Sequence, residues 1–181
     1  MKNIKVNLKE ELEGFKEQIV ELIHETFDND GEVKPTMFAL IIHNDKLHIA
    51  LLAGLAELFV SEKGKDIAAD VIKDFTKDIK PMAIAFVSEG WMVESEININ
   101  ASESTARKEI IMINFETYDK ESSVFLEILR DKTQASLKLI HDLDWRKKEK
   151  NSSRFSNLLE ENYSELAQWV SKQLESKHNW N

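Results

Sequence analysis

The stretch from residue 37 to residue 52, MFALIIHNDKLHIALL, decides the fold class of this chain. Two apolar runs, 37–42 and 47–52, flank four polar residues. Asn44 and Asp45 at the centre tolerate the positive backbone angles of a tight turn. The stretch therefore predicts a β-hairpin. Because both runs are apolar at nearly every position, we expect both strands to be buried on both faces.

More strands are expected on the C-terminal side of this hairpin. The run 82–87 is continuously apolar, which is typical of a central strand, and 93–100 alternates between apolar and polar residues. Further strands are predicted at 110–115, 124–129 and 137–143, the last two as a second hairpin that turns at 131–134. Hairpins dominate this order, so we expect a largely antiparallel mixed sheet of about six strands.

Three helices are predicted to pack against the sheet, with long ones near both ends of the chain. The first spans 8–27 and has apolar residues at spacings of three and four. The second covers 66–79, where Gly64 interrupts an earlier helical start and Pro81 ends the helix. The third is capped by Ser152 or Ser153, and its buried stripe comprises Phe155, Leu158, Leu159, Leu166, Trp169, Val170 and Leu174. The sequence thus predicts one α+β domain over residues 1–181.

The composition bounds the environment and the chemistry. A chain of 181 residues fits a single domain. It contains no cysteine, which excludes disulfides, thiolate catalysis and cysteine-bound metals. The net charge of -9 would repel a phosphate backbone. No apolar run is long enough for a signal peptide or a membrane span. We therefore expect a cytoplasmic protein with no membrane partner and no nucleic-acid partner.

Two short motifs carry a resemblance to known sequences. An apolar strand ends in Ser-Glu-Gly-Trp at 88–91, and Arg-Lys-Glu at 107–109 precedes the next apolar strand. This combination resembles a group of uncharacterised bacterial and phage proteins, over the middle third to half of the chain. The group has no known activity. The resemblance therefore implies a bacterial or phage protein and adds no chemistry and no cofactor.

The end of the central strand is a candidate ligand pocket. Glu89 and Trp91 lie where sheet proteins often place binding groups, and Glu94, Arg107 and Glu116 could complete a polar pocket. A Glu89 paired with Arg107 would have a perturbed pKa, as catalytic carboxylates do. The alternative, which we favour, is structural: Trp91 is mostly buried at the edge of the core and Glu89 is a hydrogen-bond acceptor.

The histidines are weak candidates for a metal site. In the predicted hairpin, His43 and His48 are diagonal neighbours on one sheet face, where they could bind a metal together with a carboxylate. No third ligand has suitable spacing. His141 and Asp142 are adjacent on a strand and point to opposite faces. The acidic turn at 28–35 lacks the later ligands of a calcium loop. We predict no metal and no cofactor.

A basic link follows the last predicted strand. Its cations are Arg146, Lys147, Lys148, Lys150 and Arg154, next to Trp145. Five cations within nine residues could bind phosphates or an acidic protein surface. A hydrophilic, flexible charged loop is the favoured interpretation, because a short patch neutralises few phosphates.

No catalytic motif accompanies these features. The chain lacks a glycine-rich phosphate loop, a G-x-S-x-G elbow and an H-E-x-x-H pair. The sequence therefore favours a non-enzymatic binding or assembly module that self-associates, most simply as a two-fold dimer, with a protein partner also possible. The alternative is a small enzyme or ligand-binding sensor that uses Glu89, Trp91, Arg107 and Glu116.

Overall fold

The computed structural model of the protein describes residues 8–44, 46–93, 107–131, 134–148, 155 and 158–159. Its elements, in chain order, are α1 (Leu8–Asp30), β1 (Thr36–His43), β2 (Lys46–Leu52), a 3-10 turn (Leu55–Leu58), α2 (Glu62–Ile79), β3 (Ala83–Met92), β4 (Lys108–Glu116), β5 (Lys120–Arg130), β6 (Ala135–Asp142) and the short β7 (Arg146–Lys147). The described strands form one sheet.

The sheet confirms the predicted fold class. Its strands follow the order β2-β1-β3-β4-β5-β6, and β7 pairs with β5. Every pair between described strands is antiparallel. Both predicted hairpins, β1–β2 and β5–β6, are present. The predicted strand at 93–100 lies outside the described residues, except for Val93.

The described residues contain two α-helices rather than the three predicted. The third, at 155–174, lies largely outside them. Of its described residues, Phe155 is in a turn, and neither Leu158 nor Leu159 has helical structure. A tertiary contact holds these residues: the amides of Leu158 and Leu159 donate to the carboxylate of Glu116, which is 42 and 43 residues away in the chain. Both leucines are nevertheless buried, as the stripe predicted.

The first core lies between α1 and one face of the sheet, which we call the α1 face. The predicted amphipathic helix is confirmed and extends to Asp30. Its apolar residues recur at spacings of three and four, so a single stripe of α1 meets the sheet. The buried members of the stripe are Leu8, Leu12, Phe15, Ile19, Ile23 and Phe27, and they pack against alternate residues of β1, β3, β4 and β5.

The second core lies on the opposite face of the sheet, where α2 packs against β1 and β3. Alternation along the strands sends Met37, Ala39, Ile84 and Phe86 to this side. Three aromatic rings stack here: those of Phe86 and Phe155 lie 4.6 Å apart, and those of Phe155 and Phe59 lie 5.1 Å apart. Central strands β1 and β3 are therefore covered on both faces, as their continuous apolar runs predict.

The predicted break at Gly64 is wrong, because Gly64 lies inside the first turn of α2. The side chain of Ser61 caps this helix and accepts the Gly64 amide at 3.0 Å. A Cβ atom at residue 64 would lie 1.9 Å from the carbonyl oxygen of Leu58. Glycine is therefore required by the close approach of the 3-10 turn and not by a helix end.

The prediction that both strands of the first hairpin are buried on both faces is wrong for β2. Strand β1 is buried between β2 and β3, whereas β2 forms one end of the described strand order. The side chain of Leu51 is 57% exposed, and Ile49 is also exposed. An apolar run cannot distinguish an edge strand from a central one, since that distinction depends on which strands become neighbours.

Candidate functional site

The end of β3 brings Trp91 and Arg107 together. The guanidinium carbon of Arg107 lies 4.3 Å from the centre of the Trp91 ring, which is a cation–π contact. The prediction that Trp91 is mostly buried is wrong, because the residue is 48% exposed. Trp91 lies one residue before the end of β3, and the last β3 member of the core under α1 is Val87.

Glu89 is held by the connection between α1 and β1. Its Oε1 atom accepts the backbone N–H of Val33 at 2.7 Å. Burial raises the pKa of Glu89, and the negative charge of Glu109 adds to this rise, while the Val33 hydrogen bond and the Arg130 charge oppose it. The predicted structural role, that of a hydrogen-bond acceptor, matches this geometry.

Glu109 and Arg130 form a bidentate ion pair beside Glu89. The Nε and guanidinium nitrogen atoms of Arg130 lie 2.9 and 3.0 Å from the two carboxylate oxygens of Glu109. The hydrogen bond from Arg130 lowers the pKa of Glu109. Two neighbouring carboxyl groups thus have pKa values shifted in opposite directions, which follows from burial at one and a bound cation at the other.

The other proposed pocket members do not join this group. In the β3–β4 register, Trp91 pairs with Glu109 whereas Ile84 pairs with Glu116. Seven residues of strand, roughly 23 Å, therefore separate Glu116 from the Trp91 end. Glu94 lies outside the described residues. Glu89, Trp91 and Arg107 therefore lie near the C-terminal end of β3, whereas Glu116 lies beside the N-terminal end of β3.

Glu116 instead organises a buried polar cluster that the sequence did not predict. Its carboxylate accepts the amides of Leu158 at 3.1 Å and Leu159 at 2.8 Å, and it forms an ion pair with Lys148. Lys148 also donates to the carbonyl of Leu159, and Thr76 of α2 donates to the carbonyl of Leu158. We call this set of five residues the Glu116 clasp.

The clasp holds a two-residue segment by its backbone. The side chains of Glu116 and Lys148 are only 9% and 7% exposed. Such buried charges are costly unless each is paired and hydrogen-bonded, and both conditions are met here. The sequence carried one signal for this buried carboxylate, a glutamate at the end of an apolar strand. Alternation along β4 places Glu116 on the α2 side of the sheet.

Residues 145–148 of the basic link are structured, and residues 146 and 147 belong to the sheet. Arg146 and Lys147 form β7, which pairs with β5. Arg146 also bonds to Glu121 at 2.9 Å, and Lys148 is consumed by the clasp. Trp145 packs on the α1 core. The prediction of a flexible loop is therefore wrong for Arg146 and Lys147, because they pair with β5. Lys150 and Arg154 lie outside the described residues.

The predicted diagonal arrangement of His43 and His48 is confirmed. Ile41 pairs with His48 and His43 pairs with Lys46, and the two imidazole rings lie 6.0 Å apart. Within the described part of the chain, no group of three or more histidine, aspartate or glutamate side chains is placed to hold a metal ion. His141 contacts the Phe125 ring edge-on, and Asp142 pairs with Lys16 of α1.

Exposed apolar side chains also lie on the edge strand β2. Residues 51, 49 and 47 pair with Phe38, Leu40 and Ile42 of β1, so they share the α1 face of the sheet. We define the β2 strip as Leu47, Ile49 and Leu51. Ile42 of β1 and Leu22 of α1 are also exposed.

A groove separates the strip from α1. One cavity of about 420 Å³ is lined by Gly14, Gln18, Leu40, Leu47 and Ile49, among others. A second cavity of about 580 Å³ follows the same flank of α1, and its lining includes Ile23, Thr26 and Phe38. The groove therefore has α1 as one wall and residues of β1 and β2 as its floor, and both apolar and polar side chains line it.

The two terminal strands of the described order, β2 and β6, differ in how they are protected against pairing with another strand. Natural sheets protect edge strands with charged residues, proline or bulges. Strand β6 has Lys138 near its middle and a register shift opposite residues 125–126 of β5. Strand β2 forms seven consecutive pairs with β1 and contains no proline. Its single lysine, Lys46, is at its first position, and the strand contains no acidic residue. In the described strand order, β2 is thus the unprotected end.

Comparison with known proteins finds no relative of this chain. No protein-family model, curated protein or solved structure matches the chain. Among the described helices, none is both long and apolar enough to cross a membrane.

Proposed function

We propose that this protein is a non-enzymatic binding or assembly module that associates through β2. The observation that carries the proposal is the β2 strip, three aliphatic side chains along an unprotected edge strand. An exposed, flat, apolar edge is a site for adding another strand, because its backbone N–H and C=O groups and its side chains can both be satisfied by a partner.

The geometry gives less support to the alternative of a small enzyme or ligand-binding sensor. Its four groups do not converge, because Glu116 lies about seven strand residues from the Trp91 end and is occupied by the clasp. The Glu89 carboxylate already accepts the Val33 amide. We therefore propose that the protein acts by binding and not by catalysis. A cytoplasmic location and the lack of a nucleic-acid partner are further parts of the proposal.

The test is photo-crosslinking in the cells that make the protein. A photoreactive residue replaces Leu51, and a matched control replaces Leu139, which is 53% exposed on β6. We expect a covalent adduct from position 51 and none from position 139. The adduct is identified by mass spectrometry, and the purified partner must bind the parent protein and fail to bind Leu51→Lys. Equal adducts from both positions, or none from position 51, would contradict the proposal.

A further inference from the structure

We infer that the occupant of the β2 edge is a second copy of this chain, with the two β2 strands antiparallel about a two-fold axis at Ile49. This inference rests on the proposed function, because it assigns a partner to the same surface. A two-fold axis makes a surface patch bind itself, so the strand must be complementary to its own reverse. The sequence of β2, KLHIALL, satisfies this condition.

The side chains match across such an axis. With Ile49 opposite its own copy, the partly buried Leu47 lies opposite the exposed Leu51 of the second copy. Six aliphatic side chains then form one ladder on the α1 face. Directly opposed aliphatic pairs of this kind stabilise antiparallel strands, and no polar residue interrupts the ladder.

The charges match as well. In this register Lys46 lies opposite Leu52 and His48 lies opposite Ala50, so no two like charges face each other. The two Lys46 residues are separated by six residues of strand, roughly 20 Å, which exceeds the distance of about 10 Å over which charges interact at ordinary ionic strength. The side chains of the β2 strip are uncharged, so they favour an uncharged surface as their partner, and the second copy provides one.

The pairing also explains why β2 lacks the protection that β6 has. Joined at β2, the two six-stranded paths would form one continuous sheet of twelve strands, and β6 would be left at each outer end. Lys138 and the register shift in the β5–β6 pair hinder further addition at those ends. The assembly would therefore close at two copies instead of growing into a filament.

The absence of cysteine makes the register directly testable. In a background without thiols, Ile49→Cys places two thiols opposite each other across the axis, within reach of a disulfide. Leu51→Cys is the matched control, because residue 51 and its copy are four strand residues apart, roughly 13 Å, and a disulfide needs Cα atoms closer than about 7 Å. We expect oxidation to link Ile49→Cys into a covalent dimer and to leave Leu51→Cys unlinked.

Light scattering at micromolar concentration provides the second measurement. The parent should have twice the mass of a 20.9 kDa chain, and Ile49→Lys should have the mass of one chain with an unchanged circular dichroism spectrum. A monomeric parent, a dimer that Ile49→Lys leaves intact, or a disulfide at residue 51 and not at 49 would each overturn the inference. A monomeric parent whose position 51 crosslinks to a different protein would overturn the second copy as occupant and leave the proposed function standing.

Discussion

At the scale of single residues, Glu116 determines where the C-terminal part of the chain attaches. Its register partner on β5 is Glu121, so two carboxylates lie side by side and each has its own cation. Glu116 pairs with buried Lys148, whereas Glu121 pairs with exposed Arg146. Burial makes the difference between these pairs, because removing one partner of a buried pair leaves an uncompensated charge, and an exposed pair is screened by water.

Replacing Glu116 with alanine should lower the free energy of unfolding by about 3–5 kcal/mol, since Lys148 and two backbone amides lose their acceptor. The matched change Glu121→Ala should cost about 1 kcal/mol or less. Urea denaturation of both variants checks this. Similar losses for the two variants would show that the clasp contributes no more than a surface ion pair.

Glu89→Gln should change how stability depends on pH. Burial raises the pKa of Glu89 in the folded state above its unfolded value near 4.5. The folded state therefore holds this proton more tightly, and Glu89 makes its largest favourable contribution below its unfolded pKa. That contribution is lost as the pH rises through the folded pKa.

Relative to Glu89→Gln, the parent protein should therefore gain stability as the pH falls from 7 toward the unfolded pKa near 4.5. The amide oxygen of glutamine still accepts the Val33 N–H, so the fold is preserved. Urea denaturation at several pH values measures the difference. If the parent instead loses stability relative to the variant on acidification, the folded-state pKa of Glu89 is lowered and burial does not control it.

At the scale of elements, two glycines in helices have opposite roles. Gly14 lies within α1, and a Cβ atom there would meet no neighbour within 4 Å. Gly64 lies in the first turn of α2 against the Leu58 carbonyl. Helix propensity alone would favour alanine at both positions, so any difference in outcome reports the tertiary contact.

Gly14→Ala should raise the free energy of unfolding by roughly 0.5–1 kcal/mol, because alanine loses less backbone entropy on folding. Gly64→Ala should lower it by about 1–3 kcal/mol, because the 3-10 turn must move away from the new methyl group. Thermal and urea unfolding of the two variants test this together. A stabilised Gly64→Ala protein would mean that the 3-10 turn does not pack closely on α2.

At the scale of the whole molecule, the surface is acidic and its basic segment is partly engaged within the fold. The chain has a net charge of -9. Two of the described cations of the basic link, Arg146 and Lys148, are paired with carboxylates. Phosphate binding depends on cations that can displace counterions, so this pairing removes part of the patch.

We therefore expect negligible binding of duplex DNA at physiological salt, about 150 mM. Fluorescence anisotropy with a labelled duplex measures it, and Lys147→Glu is the control variant because Lys147 is exposed on β7. Tight binding that this substitution abolishes would show that the link is a nucleic-acid site and would contradict the expectation.

The elements that depend on local periodicity could be predicted from the order of apolar and polar residues. Apolar residues at spacings of three and four predicted α1 and most of α2, and apolar runs joined by polar turns predicted both hairpins and the antiparallel sheet. These predictions succeeded because side-chain direction within a helix or strand is fixed by the residues nearest in the chain.

Contacts between distant parts of the chain determine which polar residues are buried and which strand lies at the exposed edge. Glu116 meets Leu158 and Leu159 from more than forty residues away, Gly64 is required by the Leu58 carbonyl, and β2 is exposed because β3 pairs with the other side of β1. Each outcome depends on how distant elements are ordered in space. A local pattern of apolar residues is the same for a central strand and for an edge strand, so the order, and with it the β2 strip, could not be predicted from that pattern.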